Sequence, residues 1–152
     1  MELRSVKYED LDLLFQWAND LDVRRNALSQ NPIEFEDHIS WFNNRLIDPN
    51  CKIYILTEKD KNLGQIRFEL NENEWTIDYS VDAIYRGQGI GAKIIQMGMM
   101  KLKSDVGKPV KLKALVEENN IGSIRIFQKN EFIESNLVST DNRNFRTFKR
   151  QV

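Results

Sequence analysis

Fifteen consecutive residues, Tyr79-Ser80-Val81-Asp82-Ala83-Ile84-Tyr85-Arg86-Gly87-Gln88-Gly89-Ile90-Gly91-Ala92-Lys93, constrain this chain more than any others. Ile77, Tyr79 and Val81 alternate with polar residues as a strand does. Three glycines at alternate positions follow, and then a helix-forming stretch. A strand that turns through glycines into a helix lets main-chain N–H groups approach an anion closely, and the helix start adds a partial positive charge. The stretch therefore predicts a pyrophosphate cradle.

The rest of the chain places this unit. Leu3 to Val6 reads as a first strand. Asp10 precedes a helix from about Leu11 to Asn19, and Val23 to Asn31 looks irregular. A second helix runs from about Glu34 to Leu46, with Phe35, Ile39, Phe42 and Leu46 at helical spacing. Ile53 to Leu56 is an apolar strand, and Gln65 to Leu70 alternates as a half-exposed antiparallel strand. Trp75 to Val81 is the next strand. The helix after the glycines extends through Leu102 until Gly107-Lys108-Pro109 breaks it. Val110 to Val116 is a strand, Asn120 to Lys129 a helix, and Phe132-Ile133 with Phe145 to Phe148 a closing pair of strands. Only the fourth-to-fifth strand connection needs a helical crossover. The expected fold class is α/β (α+β): a mixed, mostly antiparallel central sheet flanked by helices, in one domain over residues 1–152.

Composition narrows the function. The net charge of −1 argues against a general nucleic-acid binder. Charge is uneven: residues 1–100 carry 11 Lys/Arg against 17 Asp/Glu, and residues 101–152 carry 11 against 6. A basic last third favours an anionic ligand. Cys51 is the sole cysteine and His38 the sole histidine, so neither an internal disulfide nor a metal centre is expected. No apolar run suits a membrane span, and Met1-Glu2-Leu3-Arg4 lacks the layout of a signal peptide. A cytoplasmic setting, without membrane or nucleic-acid partners, is the expectation.

Two nucleotide-binding patterns fit the glycine loop poorly. A Walker loop needs G-x-x-x-x-G-K-[ST], and here Lys93 lies between Ala92 and Ile94. Gly87-x-Gly89-x-x-Ala92 meets the loose dinucleotide fingerprint, but Asp82 to Arg86 separate it from the strand. About 36 residues after the following strand are too few to complete a doubly wound sheet.

Arg86-Gly87-Gln88-Gly89-Ile90-Gly91 resembles the R/Q-x-x-G-x-G/A motif of the GNAT family of N-acetyltransferases. Asn120, Ser123, Phe127 and Glu131-Phe132 resemble its second motif, N-x-x-S/A-x-x-x-Y-x-x-x-G-F. The resemblance implies that the fourth and fifth strands splay apart around acetyl-CoA, a co-substrate used without metal. It implies that Arg86, Gly87, Gln88, Gly89, Ile90, Gly91 and Ala92 hold the pyrophosphate. Asn120, Ser123 and Phe127 would contact the cofactor arm, and the amide of Val81 would face the thioester oxygen. Phe127 stands where the family usually has a tyrosine acid, so proton donation passes to Tyr79 or water, or the thiolate leaves unassisted. Asp78, on the face toward the acceptor, is the first choice of base, ahead of Ser80, Glu69 and Glu117; Cys51 as a nucleophile is less attractive still.

Trp17-x-Asn19, Val23-Arg24 and His38-x-x-Trp41-Phe42 look like the branch of this family that acetylates UDP-4-amino-sugars in pseudaminic acid and spore-coat polysaccharide biosynthesis. Arg24, His38, Trp41 and Tyr79 are then candidate acceptor contacts, since arginines suit a diphosphate and aromatic faces suit sugar or base. The expected acceptor is a small molecule, a nucleotide-linked amino sugar, handled by a monomer or homodimer. The alternatives are a protein N-terminus, a lysine or a small amine, or a non-catalytic acyl-CoA-binding module.

Overall fold

The structure, a computed structural model, describes every residue from Met1 to Val152. The elements follow in the order β1 (Glu2–Ser5), α1 (Leu11–Ala18), α2 (Leu21–Asn26), α3 (Phe35–Ile47), β2 (Cys51–Glu58), β3 (Lys61–Asn71) and β4 (Glu74–Val81). Then come α4 (Ile90–Val106), β5 (Lys111–Glu117), α5 (Ile121–Lys129), β6 (Ile133–Thr140) and β7 (Arg143–Gln151). One seven-stranded sheet has the order β1-β2-β3-β4-β5-β7-β6. Every pairing is antiparallel except β4 with β5, as a crossover through α4 requires.

Strand periodicity gives the sheet two unlike faces. Tyr54, Leu56, Ile66, Phe68 and Ile77 point to one side and bury against Ile94, Ile95, Met99 and Leu102 of α4. Cys51, Ile53 and Ile55 point to the other and bury against Leu14, Trp17 and Phe42 of α1 and α3. Register carries this second face across the sheet: Ile53, Arg67 and Asp78 lie in one row, and Ile55, Gln65 and Ser80 in the next. It therefore changes from apolar to polar between β2 and β4. Gln65 and Ser80 are buried there, so β3 is covered more fully than its alternation suggests.

Two hairpins close tightly. Glu72 and Asn73, and again Asp141 and Asn142, have φ between 49° and 69°, the backbone that matches the twist of the flanking strands. The segment read as irregular contains α2. Its six residues bury no side chain, so it has no apolar stripe to read. Its start signal is Asp20, which accepts from the N–H groups of Asp22 and Val23. The last two strands are longer than the sequence suggested because β6 is an exposed edge strand with little apolar patterning.

The strand pair at the centre of the sheet is scarcely a pair. β4 and β5 are joined only at Trp75–Leu112 and Thr76–Lys113. Beyond these positions Ile77 to Val81 and Ala114 to Glu117 diverge and leave a wedge.

Candidate active site

The polarity of the wedge follows from register. Asp82 donates its N–H to the Leu63 carbonyl. Val81, opposite Gly64, is therefore a non-hydrogen-bonded position of the β3–β4 ladder, and its N–H points to the β5 side. The Val81 carbonyl accepts from Arg86 Nε at 3.1 Å. The amide assigned to the thioester oxygen thus lies along the open edge.

Below this edge the Tyr79 hydroxyl donates to Ser123 Oγ at 2.9 Å. Burial pushes the Tyr79 hydroxyl up to about 12; the Ser123 contact opposes the rise and the charge of Asp78 adds to it. Tyr79 thus carries its proton throughout the neutral range. Asn120 caps α5 by accepting from the Ser123 N–H at 3.2 Å, which leaves its amide NH2 available. Phe127 is buried. It is 2% exposed and packs edge-on to Tyr79, 5.9 Å between centroids, while stacking on Phe148 at 5.8 Å. The Phe127 ring, expected against the cofactor arm, is packed in the core and supports Tyr79.

At the mouth of the wedge, Gly87 and Gly89 have φ of 76° and 78°, a conformation that glycine adopts without strain. Gly89 is the N-cap of α4, with no side-chain cap and no acidic residue in the first turn. The first intrahelical bond reaches only Lys93 N–H. A 17-residue helix thus begins with the orphan amides of Ile90, Gly91 and Ala92 and its positive dipole end ungroomed by the protein. A diphosphate fits this start chemically. Gly91 has a separate reason to be glycine: a Cβ there would sit 2.7 Å from Ile126 Cδ1. Gln88 is exposed, and its side chain lies 3.5 Å from the Ile84 carbonyl.

Arg86 is placed beside this loop but faces α2. Besides Val81, it bonds Asp20 at 2.8 Å and Asp22 at 3.1 Å, so two of its five N–H groups are left for a phosphate. Arg24 likewise serves the fold, bonding the carbonyls of Ala18, Ser29 and Asn31.

His38, a candidate acceptor contact, lies inside the fold. It is 3% exposed, and its Nε2 donates to the Leu11 carbonyl at 2.9 Å. Burial pushes its pKa below the ordinary value, against the Leu11 bond and the charge of Asp12. Trp41, one turn along α3, stacks on His38 at 5.7 Å and carries the Arg67 guanidinium 5.0 Å above its ring.

Asp78 is exposed on the polar face, its Oδ2 3.2 Å from Gln65 Nε2 and 3.6 Å from Arg67. Gln65 and Arg67 were not singled out from the sequence, although their alternation along β3 marks them as one face. Cys51 is buried, which pushes its thiol up to about 11, so it is no nucleophile. Glu117 is buried too and holds the Asn119 N–H at 2.7 Å. A polar cavity of about 510 Å³ opens beside Asn120, between the loop after α2 and the start of β7. Arg25, Gln30, Asn119 and Arg143 line it.

Comparison with known proteins gives this arrangement its family. Acetyltransferase PseH of Campylobacter jejuni is 25% identical over 128 residues, covering 84% of this chain and 80% of that protein. Spermidine N-acetyltransferase from Vibrio cholerae, solved with CoA and spermine, superposes with a TM-score of 0.87 at 13% identity, over 99% of this chain and 94% of that one. Ribosomal-protein-alanine N-acetyltransferase from Brucella melitensis superposes with a TM-score of 0.83 at 17% identity, over the whole of both chains. Residues 1–133 match the acetyltransferase (GNAT) domain, and the chain belongs to this family of N-acetyltransferases.

Proposed function

We propose that residues 1–152 form one cytoplasmic acetyltransferase domain that moves the acetyl group of acetyl-CoA onto the amino group of a nucleotide-linked amino sugar. The observation that carries this is the wedge between β4 and β5. It has an uncapped helix start at its mouth, the Val81 amide on its edge and a carboxylate on its polar face. The acceptor class is supported by the Trp17, Val23-Arg24 and His38-x-x-Trp41-Phe42 series and by the relationship to an acetyltransferase, PseH. A polar cavity with two arginines beside Asn120 suits the diphosphate of such an acceptor.

Acetyl-CoA, when bound, supplies an activated acetyl group and a thiol leaving group. The amides of Gln88 to Ala92 hold its pyrophosphate, with Arg86 alongside, while Asn120 and Ser123 flank its arm. Val81 N–H donates to the oxygen on which charge develops, an interaction of a kind worth roughly 100- to 1000-fold in rate. Asp78 takes the proton that the acceptor nitrogen sheds as it bonds to the acetyl carbon. Tyr79 gives a proton to the sulfur released when the carbon–sulfur bond breaks. Solvent resets both groups.

Thiol release from acetyl-CoA tests the assignment, with UDP-4-amino-sugars, polyamines and peptides bearing free N-termini or lysines as acceptors. Turnover confined to the UDP-amino-sugars is the expected result. Turnover confined to peptides or polyamines overturns the acceptor class, and binding of acetyl-CoA without turnover of any amine overturns the enzymatic reading.

A further inference from the structure

His38 and Trp41 stand out in the sequence as candidate acceptor contacts. Their contacts lead elsewhere. His38 is fixed by the Leu11 carbonyl and stacks on Trp41 with 27° between the planes. Trp41 in turn carries the guanidinium of Arg67 at 5.0 Å, with Arg45 at 5.8 Å. A guanidinium over an indole is held by cation–π attraction as well as by contact. Arg67 emerges from this stack 3.6 Å from Asp78 Oδ2.

Two further features bear on Arg67 and Asp78. Its Nε lies 3.0 Å from Glu69 Oε1, but the direction is unsuited to a hydrogen bond, and the Nε–H is buried without a partner. Glu69 already accepts from Arg45 Nε at 3.0 Å. A buried unmet donor is costly, and a side chain free to choose would turn to meet it. On the same face of β3, one row along, buried Gln65 directs its Nε2 to Asp78 Oδ2 at 3.2 Å and lies 3.4 Å from Ser80 Oγ. Asp78 Oδ2 is thus approached from two sides, and Oδ1 has no protein partner.

We propose that Arg67, laid on Trp41, is a positioning residue that with Gln65 fixes Asp78 by one oxygen and keeps the other turned to the acceptor amine. This rests on Asp78 acting as the base. The His38-x-x-Trp41 motif then acts at a distance, as the footing of Arg67, and does not touch the acceptor. The charged groups on the Asp78 side of the sheet are Arg67 from β3 and Arg24 from α2, which feels the Asp78 charge.

The experiment compares kcat and KM, with a UDP-4-amino-sugar as acceptor, for wild type, Arg67→Gln, Arg67→Lys, Trp41→Leu and Asp78→Asn, after thermal melts confirm folding. Arg67→Gln is expected to lower kcat about 10-fold with KM for acetyl-CoA and for the acceptor unchanged. Arg67→Lys restores most of kcat, and Trp41→Leu lowers it in the same way by less. If Asp78→Asn loses kcat but Arg67→Gln and Trp41→Leu keep the wild-type value, the positioning role is wrong and the base stands. If Asp78→Asn keeps wild-type kcat, the base assignment itself fails. Should Arg67→Gln not fold, Trp41→Leu and Arg67→Lys decide alone: an unchanged kcat in Trp41→Leu overturns the proposal.

Discussion

A phenyl ring at position 127 has no proton to give, and the ring it supports does. The Tyr79 hydroxyl is held by Ser123 and stays protonated because burial drives its pKa to about 12. Tyr79→Phe keeps the ring and its edge contact with Phe127 but removes the donor. Rapid-kinetic assay should find kcat about 100-fold lower, with KM for acetyl-CoA little changed and folding stability within about 1.5 kcal/mol of wild type. An unchanged kcat assigns leaving-group protonation to water. The residue types for this chemistry were legible in the sequence: Asp78 and Tyr79 flag themselves by alternation on a strand that enters a glycine loop. Burial was not legible. His38 and Phe127 sit in motifs, and nothing in a motif says that Leu11 will close over one and Phe148 over the other. Arg67 escaped notice because one arginine on an alternating strand looks like any solvated charge.

Among the elements, β4 is the one whose two edges differ most, laddered to β3 along its length and free of β5 beyond Thr76. Gly64 sets its distance from β3. A Cβ there would lie 2.4 Å from the Ser80 carbonyl oxygen and 2.7 Å from Ile94 Cδ1, so backbone would have to yield. Gly64→Ala should cost about 3 kcal/mol, a drop of roughly 6–12 °C in Tm for a chain of this size, with loss of activity as Val81 is displaced. Gly122→Ala, near the start of α5 where a Cβ meets nothing within 4 Å, is the contrasting case and should stabilise by up to about 1 kcal/mol. Calorimetry of both variants checks the pair; equal melting temperatures would show that the β3–β4 spacing is not fixed at Gly64. Long periodic elements such as α3, α4 and β4 could be read from sequence because each buries a stripe. The capped but unburied α2 and the exposed edge β6 could not, since tertiary contacts and hairpin geometry form them without a pattern of their own.

For the molecule as a whole, acid should act in two stages. Burial holds His38 below its ordinary pKa, so the unfolded chain binds that proton more readily. Stability from the neutral ring is complete above about pH 6.5 and declines as pH falls below it. Burial alone would raise Asp10, Asp20 and Asp105. Bonds from Arg4 to Asp10, from Arg86 to Asp20, and from Lys101 and Tyr54 to Asp105 outweigh it and hold all three carboxyls below the usual range. Their contribution is complete above about pH 4 and is lost on further acidification. Tm measured against pH should therefore fall first below about 6.5 and again below about 4. His38→Gln should flatten the first fall and leave the second, and an unaltered first fall would assign that stage elsewhere. The order of strands could be inferred from sequence at this scale because short turns force neighbours together. The charge pairs that span 66 positions between Asp20 and Arg86 could not.

Two rungs, Trp75–Leu112 and Thr76–Lys113, join a four-stranded half of the sheet to a three-stranded half. Main-chain donors and acceptors facing that gap have no strand opposite them, and a slender guest with peptide-like groups along its length can take the vacant side. Its arrival then does what another strand would do: it stitches the halves into one continuous surface. A coenzyme arm lying there, as proposed, would be a temporary piece of architecture as much as a carrier of acetyl.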